Sequence, residues 1–170
     1  MSYFFCQCAR RTGSKVFCIR INKTTLTSVT ATPPPPPPKP PGPKIPDGYK
    51  KGGDGYYYKY HTDQKNWNDA QRTCKSEGGN LAIIWNQKTR DVVHGFMKNG
   101  WIGVTDQWSE GRWQTPLKAS IPYSSWNRGE PNNSGNEDCT MQHDSKKWND
   151  LGCNNPRNYI CQFKAGKPIV

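Results

Sequence analysis

The sequence predicts an α+β domain over residues 48–164, small, loop-rich and braced by disulfides. Three observations carry that expectation. Two segments place apolar residues at helical spacing, several short aromatic or β-branched stretches read as strands, and the same region holds four of the chain's seven cysteines. At 170 residues the chain suits one domain with appendages.

Residues 1–31 form an N-terminal segment that predicts no stable domain. It contains Cys6, Cys8 and Cys18 and no apolar run longer than four residues. A signal-peptide core needs roughly 7–15, and a membrane span more. Residues 32–47 are a proline-rich linker, in which "TPPPPPPKPPGPKIP" holds ten of the fifteen prolines. It favours polyproline II and acts as a stiff spacer, in preference to serving as a ligand for aromatic-lined grooves. Inside the domain, "GYYYKY" (Gly55–Tyr60) reads as a strand, since aromatic side chains suit a pleated, half-buried surface. Thr62 or Asp63 can cap a helix whose Trp67, Ala70 and Cys74 share one face and which Gly78 and Gly79 stop. Asn86 opens a second helix with Val92, Val93, Phe96 and Met97 as its apolar stripe, ended by Asn99 and Gly100. "WIGVT" from Trp101 reads as a buried strand. Shorter strand-like pieces surround Trp113, Cys139–Met141 and Tyr159–Phe163, and residues 165–170 are a tail.

The formal charge of +11 suggests nucleic acid until its distribution is examined. Residues 1–47 carry seven basic side chains against Asp47 alone, whereas residues 48–170 carry 17 against 12 acids. There is no block of five like charges and no basic helical face, so neither nucleic-acid binding nor membrane insertion is expected.

The acids are the more informative set. Six of the domain's twelve fall in "TDQWSEG", "GEPN", "GNEDC" and "WND", interleaved with Asn132, Asn133 and Asn149. Loops so rich in like charge have little apolar surface to order them and need a counter-charge. Carboxylate and amide oxygens together suit Ca²⁺, which takes roughly six to eight oxygen ligands. Zinc fits poorly, because His61, His94 and His143 are scattered and the domain cysteines suit disulfides. No EF-hand loop is present.

Three motifs give these residues a family context. "WIGV" at Trp101 resembles the core strand, "EPN" at Glu130 the mannose-type sugar motif, and "WND" at Trp148 the second calcium-binding strand of the C-type lectin carbohydrate-recognition domain. The order of Cys74, Cys139, Cys153 and Cys161 matches as well, and the resemblance spans residues 48–164. It implies two helices packed on small antiparallel sheets, with a long calcium-binding loop region. Four cysteines alone allow three connectivities. The resemblance implies Cys74–Cys161 and Cys139–Cys153. It makes Glu130, Asn132, Glu137, Asn149 and Asp150 the ligands of a principal calcium that also holds the sugar. Asp106, Glu110, Asn133, Glu137 and Asp138 match an auxiliary calcium site. The implied ligands are glycans ending in mannose, N-acetylglucosamine or fucose, on cell or microbial surfaces. Two vicinal hydroxyls would complete the calcium shell, donating to Glu130 and Glu137 and accepting from Asn132 and Asn149. Pro131 is cis in the family's calcium-bound form.

Other uses of the same residues are less favoured. Two acids flanking a glycosidic bond could make a hydrolase, but calcium would consume them and the amides between them have no catalytic role, so no enzyme is expected. A calcium-dependent protein-binding or matrix and biomineral module on the same fold is the alternative, and intact ligand sets weigh against it. Trp101, Trp113, Trp126 and Trp148 are expected as core or loop anchors and His143 as a solvated loop residue. "NNS" at Asn132 is formally a glycosylation acceptor, expected to stay unmodified, and "NKT" at Asn22 is the more exposed one. The odd cysteine count allows a disulfide-linked oligomer through Cys6, Cys8 or Cys18. Disulfides and calcium imply an extracellular location, although no signal peptide is visible.

Overall fold

The computed structural model describes residues 44–166, together with the backbone of two short strands, β1 (Gln7–Cys8) and β2 (Cys18–Ile19), which pair antiparallel. The expectations for residues 32–43 of the linker and for Asn22 lie outside the described residues. In the domain, β3 (Lys50–Lys51) and β4 (Tyr57–Lys65) precede α1 (Trp67–Ser76), β5 (Asn80–Leu81), α2 (Gln87–Phe96) and β6 (Gly100–Thr105). After the long segment 106–138 come β7 (Cys139–Gln142), β8 (Trp148–Leu151) and β9 (Arg157–Phe163). The strands form one sheet in the order β3-β4-β9-β6-β7-β8, with β5 also on β9, and only the β6–β9 pair is parallel. Pairing of the first long strand with the last brings the domain's two ends together and leaves the 106–138 segment beyond the β6–β7 pair.

The first helix begins where Asn66, not Thr62 or Asp63, accepts from the Asp69 amide at 2.8 Å. Thr62 and Asp63 belong to β4, whose ladder with β9 resumes at Lys65–Arg157 after an irregularity beyond His61. Asn66 supplies an equivalent cap, so continuing β4 to Lys65 costs the helix none. Trp67, Ala70 and Cys74 face inward, and the Trp67 indole donates to the Ile102 carbonyl at 2.9 Å. Asn86 caps α2 through the Thr89 amide, as expected. That helix stops at Phe96, earlier than Asn99 and Gly100, because Met97 turns extended and buries its side chain. Around Trp113 there is no strand; Gln114 makes isolated bridges to Thr105 and Ser120. In β6, Gly103 is required by packing, since a Cβ there would lie 2.5 Å from the Leu81 carbonyl oxygen.

The two disulfides are Cys74–Cys161, joining α1 to β9, and Cys139–Cys153, joining the start of β7 to the loop after β8. Between the layers, Trp67, Trp101 and Tyr159 pack in one apolar cluster and Ile102, Val104, Trp148 and Ile160 in another. Trp101 and Trp148 are fully buried, while Trp113 and Trp126 are half-buried. Trp126 meets both Trp113 and Trp148 edge-on, which fastens the long segment to the core. No helix among the described residues is long and apolar enough to cross a membrane.

At the opposite end, Glu77 just past α1 accepts from Tyr49 (3.0 Å) and Lys59 (2.5 Å) and lies 3.2 Å from His61. Burial would raise its carboxyl, but the bonds from Lys59 and Tyr49 prevail and hold it below the usual range. A depressed carboxylate stabilises the fold above its unfolded pKa and loses that contribution as pH falls through the folded one. Glu77→Gln should therefore cost about 1–3 kcal/mol at neutral pH. The difference should shrink below about pH 4.3, which urea unfolding of both proteins across this range would measure.

Candidate calcium and glycan site

The site is built where β6 and β8 end and the 106–138 segment folds back between them. Asp106 follows β6 directly and is 2 % exposed. Its backbone amide donates to the Asp138 carbonyl (3.1 Å), and its Oδ2 accepts from the Gly111 amide (2.9 Å). The Thr105 hydroxyl donates to the same Asp138 carbonyl at 2.6 Å. These bonds pin the two ends of the long segment together. Glu110 lies on the turn that wraps Asp106, and its Oε1 accepts from Asn133 Nδ2 at 2.9 Å. Asn133 Oδ1 accepts from the Glu137 amide at 2.7 Å, and Asp138 Oδ2 accepts from Asn136 Nδ2 at 3.0 Å. These bonds link Asp106, Glu110, Asn133, Glu137 and Asp138 within one loop, but no three of their carboxylates lie within 4.8 Å of one another.

The second group centres on Asp150, fully buried in β8. Its carboxylate accepts from the backbone amides of Asn132 (3.2 Å) and Asn133 (2.7 Å), so it holds the loop from beneath. Asn149 donates to the Asp150 carbonyl. Asn132 Oδ1 accepts from Ser134 N at 2.8 Å, and Glu137 Oε2 accepts from the same amide at 3.2 Å. The Glu130–Pro131 bond is cis. Glu130 faces Asp150, and burial, followed by that contact and the charges of Asp150 and Glu137, pushes its carboxyl above the usual range. Burial, with added repulsion from Glu110 and Asp138, raises Asp106 as well.

A divalent cation can be tested against this arrangement. Glu130 Oε2 and Asp106 Oδ1 are buried with no hydrogen-bond partner, one in each group. Orphaned carboxylate oxygens are costly in a folded protein, and a cation is the chemistry that would satisfy both. The oxygen-only donor set suits calcium. Another cluster, His61, Glu77 and Cys161, does not make a metal centre, because Cys161 is disulfide-bonded and Glu77 is taken by Tyr49 and Lys59. Sequence reasoning missed the structural donors Gly111, Thr105 and Ser134. Backbone amides leave no trace in residue type, and a threonine after "WIGV" carries no distinctive signal.

Comparisons with known proteins match this architecture. The family described as Lectin C-type domain matches residues 63–163. A perlucin-like protein of Mytilus galloprovincialis is 36 % identical over 129 residues, covering 68 % of this chain and 81 % of the relative. A C-type lectin mannose-binding isoform of Oxyuranus scutellatus is 37 % identical over 124 residues, 65 % of this chain and 78 % of that one. Some relatives are much longer: the chain spans 29 % of the human CD209 antigen, at 34 % identity over 119 residues. Among solved structures, the cow C-type carbohydrate-recognition domain of CD23, determined in the presence of a GlcNAc2Man3 oligosaccharide, aligns with a TM-score of 0.68 at 27 % identity, covering 74 % of this chain and 99 % of that one. The herring type II antifreeze protein aligns with a TM-score of 0.64 at 29 % identity, over 74 % and 99 % of the two chains. On the family match, the relatives, the fold and both disulfides, the chain belongs to the C-type lectin domain family.

Proposed function

We propose that the domain is a calcium-dependent lectin for mannose-type sugars, including N-acetylglucosamine and fucose, in an extracellular setting. The observation that carries the proposal is the buried, unpartnered Glu130 Oε2 facing Asp150, within a loop whose backbone Asp150 supports. Glu130, Asn132, Glu137, Asn149 and Asp150 would hold the principal calcium. Asp106, Glu110, Asn133, Glu137 and Asp138 would hold the auxiliary one. Bound calcium supplies positive charge and open coordination positions for two vicinal hydroxyls. The side chains then read the sugar, with carboxylates accepting from each hydroxyl and amides donating to it. Family members are in general binding proteins rather than enzymes, and the orphaned carboxylates here suit a cation better than a glycosidic bond. Support for mannose also comes from the mannose-binding relative and the oligosaccharide in the CD23 study. The test is retention on mannose resin with calcium, release by chelator, and competition by mannose but not galactose.

The neighbours named lithostathine and antifreeze protein favour a second reading, a binding module on the same fold with a target other than sugar. Calcium-dependent retention that free mannose leaves untouched would favour it.

A thermal consequence follows from the raised carboxyls. Acids whose folded pKa is raised destabilise the metal-free fold once ionised, and calcium relieves that cost. Calcium at about 100 times its Kd should stabilise the domain by about 2.7 kcal/mol near neutrality. Towards about pH 4.5, near the reference Glu pKa, protons compete for the same oxygens, so both this effect and mannose retention should fade. Melting curves with calcium or chelator at each pH test this; a calcium shift that does not change with pH would exclude the carboxylates as ligands.

A further inference from the structure

We infer that Trp108 and Lys118 form an extended subsite for an acidic sugar, a pyranose carrying a sulfate or carboxylate, beside the calcium-held residue of the same glycan. The inference rests on the lectin reading above for the neighbouring sugar. Trp108 is 44 % exposed, and with Tyr60 it makes up the exposed large hydrophobics of the described residues. It stands on a fixed turn. Ser109 N donates to the Asp106 carbonyl (2.8 Å), Arg112 N to the Ser109 carbonyl (2.9 Å), and Gly111 N to Asp106 Oδ2 (2.9 Å). The same turn carries Glu110, which receives the Asn133 side chain, and Asn133 follows Asn132 directly. The indole is therefore a solvent-facing plate on a hydrogen-bonded turn that Glu110 and Asn133 tie to the loop expected to read the sugar.

Lys118 supplies the second observation. Its ammonium sits over the Trp108 ring, 5.5 Å from the centroid. Its backbone adopts φ 59°, a left-handed conformation that disfavours any residue with a Cβ, where the chain turns back to bond Thr115 N to the Ala119 carbonyl (2.8 Å). That backbone is held by Lys118 N donating to the Thr115 carbonyl (2.9 Å) and by Gln114 Nε2 donating to the Lys118 carbonyl (2.9 Å). The other left-handed lysine, Lys146, spends its charge on Asp91 at 3.1 Å. No carboxylate pairs with Lys118 among the described residues, so its ammonium is left to the indole and to any anion that reaches it. The apolar C–H face of a pyranose stacks on an indole, and an anionic substituent at the ring edge meets the ammonium. Glu110 on the same turn would oppose an anion, but the calcium proposed above would offset its charge.

The test uses the full chain with calcium and three probes: methyl α-mannoside, a sulfated fucan oligosaccharide and the same oligosaccharide desulfated. Binding constants are measured by calorimetry. The sulfated form should bind about tenfold more tightly than the desulfated form, with the preference weakening in salt. Lys118→Gly, which relieves the left-handed strain and so should fold at least as well, should abolish most of the preference. Lys51→Ala on β3, an equal loss of charge elsewhere, should retain it. Trp108→Ala should weaken both oligosaccharides by about tenfold while leaving methyl α-mannoside unchanged. Equal binding of the two oligosaccharides, a preference indifferent to Lys118→Gly, or one reduced as much by Lys51→Ala would overturn the inference and return Trp108 to the role of a protein-docking residue. Failure of methyl α-mannoside to bind the unaltered protein sinks the mannose reading instead, and a sulfate preference that follows Lys118 would stand apart from it.

Discussion

Replacing Asp150 with asparagine is expected to abolish calcium-dependent retention on mannose while leaving the disulfide-braced core folded. Asp150 is fully buried, and both its oxygens are occupied from the loop side by the amides of Asn132 and Asn133. Asparagine matches its shape but replaces one acceptor with a donor, which then faces a backbone N–H. A buried donor left without an acceptor costs about 1–3 kcal/mol. The calcium proposed for this site loses a negative ligand at the same time. That lost ligand should lower calcium affinity at least about a hundredfold, equivalent to roughly 2.7 kcal/mol. The control is thermal unfolding in chelator. There the variant should still unfold cooperatively, less stable than the parent by no more than that mismatch, because Trp148 and the Trp126 contacts that secure the segment remain. Persisting chelator-sensitive mannose retention in Asp150→Asn would remove Asp150 from the ligand set.

The parts of the fold legible in the sequence are those whose pattern is local and repeated. Trp67, Ala70 and Cys74 recur at helical spacing, and all three are buried on α1. The aromatic run at Tyr57 and the apolar run at Trp101 became β4 and β6. Where the sequence misleads, a long-range contact decides. Thr62 and Asp63 are good capping residues, yet β9, about a hundred residues later, pairs with β4 as far as Lys65 and moves the helix start to Asn66. Met97 looks like the last residue of a helical stripe, but its burial in the core sets the boundary of α2. Trp113 has the composition of a strand and lies instead in a loop, because its neighbour Gln114 reaches only single bridges.

The candidate site shows the reverse balance. Its residue types were legible because six acids in polar loops demand a counter-charge, and the family motifs assigned them places. What the sequence withheld is which backbone bonds support the loop. The amides of Gly111, Asn132 and Asn133 donate to Asp106 and Asp150. Asn133 and Asn136 occupy left-handed conformations, which asparagine tolerates, and so let the chain turn twice within the loop. Backbone donors satisfy both Asp150 oxygens and one of Asp106, and the two buried carboxylate oxygens without a partner, on Asp106 and Glu130, mark the two groups where a cation fits.

The double change Glu130→Gln with Asn132→Asp should convert the proposed mannose-preferring site into a weak galactose-preferring one. It preserves the net charge of the loop and nearly its volume, and it leaves one carboxylate and one amide on either side of Pro131. Calcium should therefore still bind. Asn132 makes its loop contacts through its backbone amide to Asp150 and its Oδ1 to Ser134 N, and an aspartate oxygen can accept the latter equally well. Only the hydrogen-bond polarity presented to the sugar reverses. An equatorial pair of hydroxyls that matched the parent site would meet donor against donor at one position and acceptor against acceptor at the other. Each mismatch costs about 1–3 kcal/mol, so mannose affinity should fall at least about tenfold. The mirrored arrangement fits one axial and one equatorial hydroxyl, as galactose presents them. Trp126 and Trp148 cannot strengthen it, because they are committed to the core and to each other. The gain should stay modest. Retention of parent and variant on mannose and galactose resins, with calcium affinity measured in parallel, decides the matter: undiminished mannose binding by a variant that still holds calcium would show that Glu130 and Asn132 do not read the sugar.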